Sequence, residues 1–217
     1  MAPPSADTGH PKTHRPLAVW WICAAFCAAL GLAFAVLVLV GPDVRGTRIA
    51  LRVTARFSFL LFWIAYAGRA LAEVFGPSFQ AVAARGRDFG LAFASAHLVH
   101  VGLIVWLYRI SPDPPVSEAV FVFFGLGVVW TYVLALFSFK RPSRAIGSAC
   151  LRIIRTVGVE YIAAAFSVDF VLGPLMNDLL QKQPKTILVY LPFSVLAVTG
   201  LALRLIALAE RARHLQV

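Results

Sequence analysis

Six long apolar stretches alternate with short polar segments along the chain. They run over residues 17–40, 57–75, 89–109, 119–139, 153–175 and 187–209. A helix rises about 1.5 Å per residue, so stretches of this length cross a hydrocarbon core of about 30 Å. Because backbone groups in lipid must find hydrogen-bond partners within their own segment, each stretch is predicted to be a helix. The predicted fold class is therefore all-α, a polytopic membrane protein with a bundle of six transmembrane helices in one domain, residues 17–209.

The segments that flank these stretches are polar and rich in residues that break helices. Between the stretches they read GPD at 41–43, GPSFQ at 76–80, SPDPP at 111–115, KRPS at 140–143 and QKQPK at 181–185. Residues 1–16 are polar and proline-rich and are predicted to be a disordered leader. The first apolar stretch is longer than the apolar core of a signal peptide, about 7 to 15 residues, so a retained helix is expected. Residues 210–217 are predicted to form a short tail.

Composition agrees with a membrane setting. Hydrophobic residues make up 60% of the chain and charged residues 14%, and the mean hydropathy is +0.81. This is outside the range of soluble globular proteins. The net charge of +10 is spread over the loops between the spans, which favours lipid headgroups as its partner and argues against nucleic acid.

The lysines and arginines of the loops predict the orientation. If the N terminus is cytoplasmic, that side of the membrane holds eleven basic residues and the opposite side holds seven. Basic loops favour the cytoplasmic side, so both termini are expected in the cytoplasm.

Four arginines precede the second apolar stretch at helical spacing. Arg45, Arg48, Arg52 and Arg56 are separated by three, four and four residues, so a helical extension of this span would carry them as one basic stripe. On the outer side of the membrane the stripe is predicted to contact lipid headgroups. Haem propionates or an acidic partner domain are the alternatives.

Several ionisable residues fall inside the apolar stretches, where an ionised group costs a few kcal/mol unless it faces other helices or water. They are Arg69, Glu73, His97, His100, Glu160, Asp169 and Arg204. Four of them, His97, Glu160, Arg69 and Arg204, lie at similar depth from the cytoplasmic side. This depth predicts a polar intramembrane cluster of Arg69, Glu73, Glu160 and Arg204. The alternative is that Arg69 pairs with Glu73 along its own helix and that Arg204 extends to the surface. Asp169 falls on the face opposite Glu160, so these two do not form a carboxylate pair.

The third stretch, FASAHLVHVGLIVWLYRI, carries His97 and His100 one helical turn apart. Gly90 and Ala94 lie on the same side and Trp106 on the other, which predicts that the histidine face packs against other helices. An imidazole at this depth indicates a haem or metal ligand, a proton relay, or a hydrogen-bonded structural residue.

Two segments resemble a known superfamily. RGRDFGLAFASAHLVH resembles the third helix of the ferric-reductase-like transmembrane domain superfamily, and GTRIALRVTARFSFLLFWIAYAGRAL resembles the helix before it. The resemblance covers most of residues 45–175 and is closest to the bacterial haem-binding membrane subunits of the periplasmic methionine sulfoxide reductase system. It implies an inner-membrane oxidoreductase subunit that holds haem b between histidines of its third and fifth helices and passes electrons across the membrane to a partner. Counted from Gly90, His100 matches the family ligand, and His97 is additional.

The fifth helix departs from that pattern. Ile153 and Ile154 stand where the family has a leucine and a histidine, and the family's second histidine falls near Ser167. No histidine lies between His100 and His214. Two histidines one turn apart on one helix cannot reach opposite faces of a porphyrin, so a bis-histidine haem site is not expected within the chain.

Other ligand arrangements stay open after this departure. They are a five-coordinate haem on His100 or His97, a ligand such as Tyr161, a site shared between protomers, and a protein without haem. The chain has no glycine-rich phosphate motif after a strand, so no flavin or nicotinamide site is expected, and electrons would come from a partner protein or quinol.

Three functions remain as hypotheses, and none of them names a catalytic residue. The first is a haem b membrane subunit that passes electrons to a partner. The second is a haem-free membrane anchor or assembly protein with the same fold. The third is a small proton or metal carrier that uses His97, His100 and Glu160.

Overall fold

The computed structural model describes residues 15–139, 147–173 and 184–214. Within these ranges the chain is helical apart from short turns, and no strand is present. The main helices are α1 (Arg15–Val40), α2 (Val44–Phe75), α3 (Gln80–Ala84), α4 (Gly86–Ile110), α5 (Glu118–Phe139), α6 (Ser148–Ser167) and α7 (Pro184–His214). A 3₁₀ turn (Pro77–Phe79) precedes α3, and a π-helical turn (Val168–Leu172) continues α6. The prediction of an all-α polytopic membrane protein is confirmed.

The number of long apolar helices differs slightly from the prediction. Five helices of the described ranges are long and apolar enough to cross a membrane, namely α1, α2, α4, α5 and α7. The remaining predicted span, 153–175, corresponds to α6 and its π-helical turn. Every 18-residue window of α6 contains Arg152, Arg155 and Glu160, whereas each of the other five helices has a window of that length with at most two charged residues.

The observed helix ends agree with some of the predicted helix and loop boundaries and differ from others. Helix α2 begins at Val44, so the arginine-rich segment is a helical extension of the second span, as its spacing indicates. GPSFQ forms a helical turn and the start of α3 instead of a plain loop. Helix α7 continues to His214, which places most of the predicted tail within a helix. Residues 1–14 of the leader, the KRPS loop and most of QKQPK lie outside the described residues.

Helix α2 lies at the centre of the bundle and contacts α1, α4 and α7. Small side chains line its contact with α1 and α4, where Ala29, Ala50, Ala92 and Ala96 are fully buried. Small residues let helix backbones approach closely, which favours packing in lipid, where helices gain no hydrophobic advantage from one another.

A second core of aromatic side chains joins α2, α4 and α6. Phe62 of α2 lies 5.3 Å from Phe93 and 5.3 Å from Phe166, measured between ring centroids. Trp63 of α2 donates its indole N–H to the carbonyl of Leu196 in α7 over 2.6 Å. These contacts fix the depth at which the polar side chains of α2 meet those of α4, α6 and α7.

Candidate functional site: polar side chains inside the bundle

The two histidines of α4 stack on each other and face α2. Their ring centroids lie 5.3 Å apart with an interplanar angle of 17°. The Nδ1 atom of His100 lies 3.0 Å from the hydroxyl of Thr54, a fully buried residue of α2. The histidine face of α4 therefore belongs to the inside of the bundle.

The surroundings of Thr54 assign the tautomer of His100. The Thr54 hydroxyl lies 2.9 Å from the carbonyl oxygen of Ala50 and 3.2 Å from that of Leu51. A hydroxyl has one proton, and a threonine inside a helix commonly donates it to a carbonyl one turn earlier. The hydroxyl oxygen then accepts from Nδ1–H of His100, which leaves the lone pair of the neutral imidazole on Nε2.

His97 has a different environment. Its ring packs between His100 and Phe93, whose ring centroid lies 5.4 Å away. Its Nδ1 atom is buried and has no hydrogen-bond partner in the described part of the chain. Among the nitrogen atoms of the two rings, this atom is the one that is both fully buried and without a partner in the described part of the chain.

The donor set does not fit a six-coordinate haem. His97 and His100 are the two histidines whose side chains the structure describes, and both leave the same side of α4. A six-coordinate haem would need ligands on opposite faces of its ring, and two histidines from one side of one helix cannot supply both. Tyr161, the alternative ligand on α6, donates its hydroxyl to the carbonyl of Phe123 over 2.9 Å. Ser167, near which the resemblance places a second histidine, donates its hydroxyl to the carbonyl of Ala163 over 2.8 Å.

A first group of polar side chains joins α2, α6 and α7. Glu160 of α6 holds Arg204 of α7 at 2.7 Å between Oε1 and Nε, and its Oε2 accepts the hydroxyl proton of Tyr66 over 2.9 Å. The Arg204 guanidinium also lies over the Tyr66 ring, 4.7 Å from the centroid. The side chains of Arg204 and Glu160 are 27% and 39% exposed, so this group is partly enclosed.

A second group joins α2 to the last turns of α7. Glu73 accepts from Arg69 over 3.0 Å along the same helix, as the i,i+4 spacing indicates. Arg211 binds both oxygens of Glu73, with its Nη2 atom 2.5 Å from Oε1 and 2.6 Å from Oε2. The group is therefore a carboxylate held between two arginines.

The single cluster predicted from Arg69, Glu73, Glu160 and Arg204 is thus two separate groups. Arg204 does not simply extend to the surface, because it pairs with Glu160. Seven residues separate Tyr66 from Glu73 and likewise Arg204 from Arg211. The two groups therefore lie about 10 Å apart along two parallel helices, α2 and α7.

Sequence reasoning missed Tyr66, Thr54 and Arg211. Tyr66 and Thr54 are common in apolar helices and carry no signal of their own, while Arg211 falls in the segment assigned to the tail. Neither histidine bonds to Glu160 in the described residues, so no hydrogen bond joins the His97, His100 and Glu160 set of the carrier hypothesis. Over the same residues no group of three or more His, Cys, Asp or Glu side chains is placed to hold a metal ion.

The basic stripe is also divided by the structure. Arg45, Arg48 and Arg52 are exposed, whereas the guanidinium of Arg56 lies over two rings of α7, 5.0 Å from the centroid of Tyr190 and 5.3 Å from that of Phe193. The prediction of one stripe of four residues is therefore wrong for Arg56, whose long side chain reaches inward to aromatic faces.

Comparison with known proteins identifies no relative of this chain. No protein-family model, no curated protein and no solved structure matches the chain.

Proposed function

We propose that the protein is an integral membrane subunit of the ferric-reductase-like type that works without haem, as an anchor or assembly partner for another protein. The observation that carries the proposal is that Glu160 and His100 are each bonded to side chains of neighbouring helices. Arg204 and Tyr66 hold Glu160, and Thr54 holds His100, so two of the three groups that the sequence offers for redox or transport chemistry are used to join helices.

The pairing has a structural consequence. Glu160 connects α6 to α2 and α7, and Glu73 connects α2 to α7. In lipid, hydrogen bonds between helices and close packing hold a bundle together, since the acyl chains are as apolar as the helices. These two groups therefore supply the fixed helix arrangement that an anchor needs.

The histidine pair takes a structural role in this proposal. His100 satisfies its Nδ1–H with the Thr54 hydroxyl, and His97 fills the space between that ring and Phe93. A neutral imidazole can make such contacts at membrane depth without the cost of a charge.

One observation favours a second candidate function, a five-coordinate haem b on His100. Histidines that ligate iron or other metals commonly donate their second ring N–H to a hydrogen-bond acceptor, and His100 has Thr54 in that position. A bound haem b would supply one-electron transfer with a partner protein or quinol. Thr54 would then fix the orientation of the His100 ring by accepting the hydrogen bond from its Nδ1–H.

Production of the protein in a host strain that cannot make haem separates the two candidates. A haem-free bundle keeps its folded state, so the amount in the membrane and the melting temperature in micelles are expected to be unchanged when haem is withheld. Production with haem added to the medium is the matched control. A fall of several degrees in melting temperature, or loss of the protein from the membrane without haem, would instead support the haem site.

A further inference from the structure

We propose that Arg45, Arg48 and Arg52 form a binding site for the phosphodiester headgroup of an anionic phospholipid. This inference is independent of the proposed function, because it concerns the opposite end of α2 from the groups of Glu73 and Glu160.

The three arginines share one exposed face at the start of α2. They border an open depression of about 780 Å³, together with Asp43, Val44 and Ile49. Among the described residues none of the three has a carboxylate within ion-pair distance. The Asp43 carboxylate at the rim is engaged with the backbone N–H of Gly46 at 2.7 Å, where it caps the helix. The depression thus presents three guanidinium groups whose charge is available to an anion.

The length of α2 places this face at the membrane boundary. Its 32 residues give about 48 Å of helix, well over the hydrocarbon thickness of about 30 Å. Helix α1 ends at Val40 and α2 begins at Val44, so the first turns of α2 lie at one end of the bundle, where the chain turns between two membrane-crossing helices. Arg45 and Arg48 are about 4.5 Å apart along the axis and fit within one headgroup layer of about 5 to 8 Å, and Arg52, about 10 Å from Arg45, lies at the inner edge of that layer.

The neighbouring helix end favours a lipid over a soluble anion or an acidic protein. At the end of α1, directly before the turn into α2, Val38 and Leu39 are 65% and 84% exposed. Exposed aliphatic side chains beside exposed arginines match a ligand that has an acyl chain and a phosphate. Guanidinium groups bind phosphate oxygens through paired N–H donors, which suits this ligand.

The test measures lipid binding by native mass spectrometry of the full chain in detergent. The probes are phosphatidylglycerol, phosphatidylcholine, inorganic phosphate and a short polyglutamate peptide. Wild type is expected to retain phosphatidylglycerol in preference to phosphatidylcholine. Each arginine near a membrane surface strengthens binding of an anionic lipid about fivefold, so the triple variant R45Q/R48Q/R52Q is expected to bind on the order of 100-fold more weakly.

Arg109→Gln is the matched control, since Arg109 is an exposed arginine in the last turn of α4, at the same end of the bundle. This control is expected to bind phosphatidylglycerol within about fivefold of wild type.

The triple variant must also be shown to fold. Without added lipid, its melting temperature is expected to equal that of wild type. If it unfolds instead, lysines at the same three positions keep the charge and are expected to bind the lipid. Equal retention of phosphatidylcholine, full binding by the folded triple variant, or displacement of the lipid by inorganic phosphate or polyglutamate would overturn the proposal.

Discussion

Replacement of Arg204 by methionine is expected to lower the free energy of unfolding by about 2 kcal/mol. The change leaves the Glu160 carboxylate between three helices with only the Tyr66 hydroxyl as a partner. Removing one member of a fully buried ion pair costs about 3 to 5 kcal/mol, and partial exposure of this pair reduces the loss. Denaturant titration of the purified protein in micelles, followed by tryptophan fluorescence, measures the difference.

Two variants control this experiment. Arg69→Met removes an arginine whose side chain is 75% exposed, and a loss of at most about 0.5 kcal/mol is expected. In the double variant Glu160→Gln with Arg204→Met, glutamine keeps an acceptor for Tyr66 and removes the unpaired charge, so more than half of the lost stability is expected to return. Equal losses in Arg204→Met and Arg69→Met, or additive losses in the double variant, would show that Glu160 is not held as described.

Gly46→Ala is expected to destabilise the protein by roughly 3 kcal/mol. Gly46 is buried in the first turn of α2, and a Cβ atom there would overlap the backbone carbonyl oxygen of Gly41. That backbone cannot shift easily, because Gly41 connects α1 to α2 with φ +114° and its N–H is bonded to Leu37. The close contact between Gly46 and Gly41 also stabilises the α1–α2 turn, which positions Arg45 and Arg48.

The comparison for this variant is Gly102→Ala. A Cβ atom at Gly102, inside α4, has no atom within 4 Å, so alanine there is expected to raise the free energy of unfolding by about 0.5 to 1 kcal/mol. Melting temperatures of both variants in the same detergent give the result. Equal stability of Gly46→Ala and Gly102→Ala would mean that the α1–α2 turn is packed more loosely than these distances indicate.

Hydropathy predicts the fold well because the membrane leaves few alternatives. A stretch of about 20 apolar residues in lipid must satisfy its own backbone, which selects a helix whatever its neighbours do. The spacing of Arg45, Arg48 and Arg52 also predicts the extension of α2, since exposed side chains three and four residues apart reveal a helical face. Contacts within one helix are equally readable, as the Arg69–Glu73 pair demonstrates.

Contacts between helices are what the sequence leaves open. The pairs Glu160–Arg204, Glu73–Arg211 and Thr54–His100 depend on the relative depth and rotation of different helices. Packing of side chains such as Trp63 and Phe62 sets that register, and no local pattern encodes it. A long side chain can also point in more than one direction from the same backbone position. Arg56 follows the helical spacing of the exposed arginines, yet its side chain turns inward to Tyr190.

The most direct test is the absorption spectrum of wild-type protein purified in detergent from haem-replete cells, recorded oxidised and after reduction with dithionite. Because the two stacked histidines leave one helix and face no opposing ligand among the described residues, we expect no Soret band with the intensity of one haem per protein. Circular dichroism of the same sample is expected to show an intact helical bundle. A stoichiometric Soret band that disappears in His100→Ala would contradict the haem-free account and assign the haem to that imidazole.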